Sequence, residues 1–244
     1  MFIGFDTAAG CRSFRGAVDV LPVLFKIRMS QKWSFWFGIL IVLGSEFLIR
    51  NILLPESANE LHIIIALLIE WLVLFFLLII WIPIVEKKSL QSVGFGKFRW
   101  RYVWLGILTY VIVTVAMIIS GVILEANQLE PIRSLQAVLQ TYSFPTLFGL
   151  FLTGTILEEI FYRGYLIERL GKLLGRRWLA GLVSWLAFTL VHLKFFGLGP
   201  TLDVSILSAA LVLLYLKEKS IWPCIVMHGI NNALSYLVFP LWMS

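Results

Sequence analysis

Leu157-Glu158-Glu159-Ile160-Phe161-Tyr162-Arg163 places two adjacent carboxylates and an arginine inside a run otherwise apolar enough to cross a bilayer. Each such charge costs about 2.5–3.5 kcal/mol at membrane depth, so it needs a partner or a job. At helical spacing Glu159 and Arg163 are four apart and share a face, whereas Glu158 is turned about 100° away. Two readings follow. Either Glu159 and Arg163 form a supporting pair and Glu158 does chemistry, or all three are a buried structural triad. The chain has three histidines. His62 opens an apolar run and reads as an interfacial residue. His192 closes Phe188-Thr189-Leu190-Val191-His192, and His228 opens His228-Gly229-Ile230-Asn231-Asn232, with Asn232 four residues on and on the same face. At about 1.5 Å per residue, Glu158 falls near the middle of its run and both histidines within roughly 5 Å of that depth. Any one histidine reads as a hydrogen-bonded packing residue. Polar groups from three helices at one depth read as a buried functional site.

Helices must hold these groups, and the composition supplies them. Of 244 residues, 60% are hydrophobic and 14% charged, with a mean hydropathy of +0.92; a soluble domain carries about 25% charged residues. The expected fold is all-α, a polytopic membrane helical bundle of about seven transmembrane helices with the N-terminus inside. The spans are expected at residues 33–49, 61–85, 102–124, 146–170, 178–196, 200–216 and 221–241, with Arg50, Asn51 and Pro55 ending the first. The chain divides into a basic lead (1–32), three N-terminal transmembrane helices (33–124), a loop with an interfacial helix at about 131–142 (125–145), and a four-helix core (146–244). The lead lacks an apolar core followed by a cleavage site and does not read as a signal peptide. Met29 is an alternative start, which leaves open whether residues 1–28 belong to the native protein.

Charge supports this topology. With the N-terminus inside, sixteen lysines and arginines fall in inner segments, and only Arg50, Arg133 and Lys194 fall outside. That is a strong positive-inside bias, and it accounts for the net charge of +6 without nucleic acid. Cys11 and Cys224 lie far apart, so neither a disulfide nor a cysteine metal site is expected. Trp33, Trp81, Tyr102, Trp178 and Trp222 mark span ends, as interfacial aromatics do.

Glu158-Glu159-x-x-x-Arg163, Phe188-x-x-x-His192 and His228-x-x-x-Asn232 together resemble the three-motif signature of the CAAX-protease and bacteriocin-processing (Abi) family. These intramembrane endopeptidases include the Ras-converting CAAX prenyl endopeptidases. The likeness covers roughly residues 145–240; Val93-Gly94-Phe95-Gly96 is similar to a turn common in the family. The resemblance implies that Glu158 deprotonates a water, His192 helps hold it, and His228 and Asn232 stabilise the oxyanion, with Glu159, Arg163 and Phe188 in support. The residue types agree with that chemistry, since amide hydrolysis needs a base, a positioned water and donors for the developing oxyanion. The partners implied are a peptide or protein substrate in or near the membrane and the lipid bilayer, and the compartment is the plasma (inner) membrane in a bacterium. No cofactor is favoured. Zinc is the alternative, held by Glu158, His192 and His228.

Other polar residues are given structural readings. Glu46 and Glu70 lie within the first two spans, Asp203 reads as a helix-start cap or dipole partner, and Ser184 has no evident base. Two other functions compete. A non-catalytic immunity or partner-binding scaffold would be expected to lose a motif residue, yet all are present. A proton-coupled transporter would show related halves, and no internal repeat is seen.

Overall fold

The structure, a computed structural model, describes residues 30–54, 59–127 and 139–242. The described residues are mostly helical, with no strand among them, in seven rods: α1 Gln31–Leu53, α2 Glu60–Val85, α3 Arg101–Ala126, α4 Phe144–Leu174, α5 Arg177–Phe196, α6 Leu198–Glu218 and α7, residues 222–242. α1, α2, α3, α4 and α6 are long and apolar enough to cross a membrane. The other two rods, α5 and α7, carry His192, Lys194, His228, Asn231 and Asn232. Against the expected seven spans, five of the described helices are long and apolar enough to cross a membrane. The basic lead before residue 30, Cys11, Met29 and the interfacial helix up to residue 138 lie outside the described residues.

Burial orders the rods. The most apolar window of α4, like that of α6, is 56% buried, against 28%, 22% and 11% in α1, α2 and α3. α4 is therefore a central helix, and Leu157, Ile160, Phe161, Tyr162, Tyr165 and Leu166 are core on all its sides. α3 is peripheral. Leu40 and Phe47 on α1, Ile79 on α2, and Ile112 and Ile119 on α3 are exposed, an apolar outer surface suited to lipid chains. The protein is an integral membrane protein.

Local chemistry sets the helix ends. The Asn59 side chain accepts from the backbone N–H of His62, whose ring accepts in return from Asn59 N. This reciprocal cap starts α2 and accounts for His62. Glu60 accepts from Ser143 N (2.9 Å) and Thr146 Oγ1 (2.6 Å), joining the starts of α2 and α4. Gly94 at φ +87° closes the short turn Leu90–Val93, and its carbonyl accepts from Ile221 N at 3.1 Å. A Cβ at Gly164 would lie 2.6 Å from the Val93 carbonyl oxygen, so α4 meets this loop through a bare backbone. Beside it Arg169 is fully buried. It donates to Glu86 Oε2 (2.8 Å), Ser92 O (3.0 Å) and Ser92 Oγ (2.9 Å). It is a packing residue that joins the end of α2, the loop and α4.

Two boundaries differ from expectation. α1 does not end at Ile49 but continues through a π-helical turn, Ile49–Leu53. Arg50 therefore lies within the helix, its side chain turned inward, and is not an outer loop cation. Asp203 does not cap a helix: α6 starts at Leu198 after Gly197, without a side-chain cap, and Asp203 is buried one turn further in.

Candidate active site

α4 is π-helical at Thr153–Leu157 and again at Glu159–Leu166, so Glu158 sits at the junction of two widened turns. Such bulges shift the faces that successive residues present and often occur at functional sites. Here adjacent glutamates enter different networks. Glu159 Oε1 accepts from Arg163 Nη1 at 3.0 Å and from His228 Nδ1 at 2.8 Å. The Arg163 guanidinium also donates to Ser208 Oγ (2.9 Å) and lies 4.3 Å from the Phe188 ring centre. Glu159 and Arg163 are both wholly buried. Phe188 packs edge-on to Tyr162 and also faces the rings of His192 and His228. Its support is thus a cation–π contact beneath the two imidazoles.

Glu158 faces the other way. Its Oε1 accepts from Arg50 Nη2 at 3.2 Å and lies 3.9 Å from His192 Nε2. Its Oε2 lies 4.0 Å from His228 Nε2. Glu158 is not free of a cation, as the spacing with Glu159 and Arg163 alone suggested; its cation comes from α1. Glu46, four residues before Arg50, accepts from Arg50 Nε at 3.0 Å. Glu70 on α2 is within electrostatic range of Glu46, Arg50 and Glu158.

Hydrogen-bond partners fix both imidazoles. His192 Nδ1 lies 2.7 Å from the Phe188 carbonyl oxygen. Since a carbonyl only accepts, Nδ1 carries the proton, and the Nε2 of the neutral ring offers a lone pair. His228 Nδ1 likewise donates to the Glu159 carboxylate. Its Nε2 is an acceptor in the neutral ring and becomes a donor only in the imidazolium.

Asn232 approaches through a gap in α4. A Cβ at Gly154 would lie 2.6 Å from Asn232 Nδ2 and 4.0 Å from Glu158 Oε2. Asn231 Nδ2 donates to Asn232 Oδ1 at 3.3 Å, which leaves the Asn232 amide N–H groups for another acceptor. Glu158, His192, His228, Asn232, Tyr236 and Asp203 line one cavity of about 130 Å³, room for several waters. Ser184 is no part of it and donates to the Tyr162 carbonyl at 2.8 Å.

Arg50, Gly154, Asn231 and Tyr236 escaped the sequence reading. Glu46-x-x-x-Arg50 repeats the spacing of Glu159-x-x-x-Arg163 and was the available signal for Arg50. Tyr236 continues the face of His228 and Asn232 by one more turn. Gly154 had no signal, because its role is to leave space for a side chain on another helix.

The two Nε2 lone pairs beside a carboxylate, with both Nδ1–H groups engaged, resemble the outer hydrogen bonding of a metal site. The donors as placed do not fit an ion. Among the described residues no group of three or more His, Cys, Asp or Glu is disposed to hold one, and Glu158 Oε1 is already shared with a guanidinium.

The fold and site define a membrane-embedded helical bundle with a buried carboxylate–imidazole centre. Residues 140–234, which carry all three motifs, match the family described as Rce1-like, type II CAAX prenyl endopeptidase. The resemblance read from the motifs is thereby shown, and at family level the match is to CAAX-type membrane proteases. No curated protein and no solved structure matches the chain.

Proposed function

We propose that the protein is an intramembrane endopeptidase in which Glu158 activates a water. The observation that carries this reading is the meeting of Glu158 with both His192 and His228, at 3.9 and 4.0 Å, beside the Asn232 amide in one cavity. Those gaps leave room for a polar molecule between the groups. A water there donates one proton toward Glu158 and the other toward the His192 Nε2 lone pair. Its oxygen adds to the scissile carbonyl carbon, and Glu158 takes the proton. The Asn232 N–H donates to the resulting oxyanion. His228 joins as a second donor when its ring is protonated. Glu158 then gives its proton to the leaving nitrogen, the C–N bond breaks, and an acid and an amine are released.

The substrate is a peptide or protein segment in or next to the bilayer, and the family points to prenylated C-terminal segments or peptide precursors. The test is proteolysis by the purified protein of a peptide panel, prenylated and unprenylated, with and without chelator. Cleavage that survives chelation supports the reading. Cleavage abolished by chelation and restored by stoichiometric zinc would replace it with a metallo-mechanism in which Glu158, His192 and His228 are ligands.

A further inference from the structure

The first helix lies outside the segment matched to the family, yet it delivers a cation to Glu158. Arg50 is seated by contacts from three helices. Its Nε donates to Glu46 Oε2 at 3.0 Å, its Nη2 donates to Glu158 Oε1 at 3.2 Å, and its backbone carbonyl accepts from Lys194 Nζ at 3.1 Å. Glu46 is one helical turn away on the same rod and is 1% exposed, so it fixes the orientation of the guanidinium. Lys194 is two residues beyond His192 on α5. The node thus ties α1 to both helices whose side chains meet at Glu158 Oε1. A guanidinium is a rigid planar donor that holds a carboxylate in one orientation.

We infer that Arg50 is a positioning residue for the reaction: by donating to Glu158 Oε1 it holds the carboxylate in one orientation, with Oε1 toward His192 and Oε2 toward His228. This inference rests on the reading of Glu158 as the base. A base held by one oxygen spends less time misaligned, and misplacement by about 1 Å can cost about 10²-fold in rate. The π-helical turn Ile49–Leu53 is the local device, because it carries the helix past Ile49 and keeps Arg50 on the inner face.

The test compares the purified wild type with Arg50→Ala, Arg50→Gln and Glu158→Gln on one cleaved peptide. Arg50→Gln keeps a hydrogen-bonding group near Glu46 and stands in if Arg50→Ala fails to fold. The expected result for the Arg50 variants is a fall in kcat of about 10²-fold with KM within about twofold of wild type. Added guanidinium should restore part of the Arg50→Ala loss, which it would not do for a general packing defect. Glu158→Gln should be inactive and unaffected by guanidinium. A folded Arg50 variant with wild-type turnover, or a loss confined to KM, would overturn the inference while leaving the base assignment intact. Wild-type turnover in Glu158→Gln would instead remove the base assignment itself.

Discussion

A neutral imidazole holds one proton, and at His228 that proton is given to Glu159. The family-derived pairing of His228 with Asn232 as oxyanion donors therefore places unequal demands on the two side chains. Asn232 can donate as it stands, whereas His228 donates toward the cavity only after a second protonation. Asn232→Ala is expected to lower turnover by about 10²–10³-fold with little change in binding, as loss of one oxyanion donor does; steady-state kinetics on a cleaved peptide would read it. Gly154→Ala tests the same amide indirectly. A Cβ only 2.6 Å from Asn232 Nδ2 must push it aside, so turnover should fall while Asn232 itself is unchanged. Wild-type turnover in Gly154→Ala would mean that the amide's position is not critical.

At the scale of the element, the adjacent carboxylates Glu158 and Glu159 of α4 have different dependents. Removing Glu158 leaves Arg50 paired with Glu46. Removing Glu159 leaves Arg163 with the Ser208 hydroxyl and carbonyl, and also strips the carboxylate from His228. Breaking a buried pair by deleting one partner costs about 3–5 kcal/mol. Glu159→Ala should therefore show a lower folded yield and melting temperature than Glu158→Ala, and equal values would contradict this division. Arg169→Ala should likewise destabilise by about 3–5 kcal/mol, because it leaves Glu86 buried, and thermal melting would measure it. The division between Glu158 and Glu159 was legible in the sequence because i,i+4 spacing reads directly as a shared face. The pairing of Arg50 with Glu158 was not, since a cation at the end of an apolar run looks like a loop charge until the helix is seen to continue. The proton positions on His192 and His228 were also beyond reach, because they depend on a backbone carbonyl and on a carboxylate from another helix.

At the scale of the whole molecule, the order of the helices was written in the apolar runs, and the candidate site rests on motifs within residues 140–234. The first three helices carry no motif, and only their packing shows that α1 reaches Glu158. Their outer faces are lipid-suited, and the inner faces of α1 and α2 are charged: Glu46 and Glu70 are buried, and Arg50 is nearly so. We propose an N-terminus on the inner side of the membrane, with α1–α3 flanking a four-helix catalytic core. Truncation of α1 should then abolish turnover even though the matched segment is intact, which activity of the shortened protein would contradict. The claim on which the account turns is that Glu158 takes a proton from water, and turnover of Glu158→Gln tests it most directly. The glutamine keeps shape and hydrogen bonding but cannot serve as the base. In folded protein that still binds the peptide, the account predicts a fall in kcat of about 10²–10⁴-fold or more. Turnover within a few-fold of wild type would contradict it.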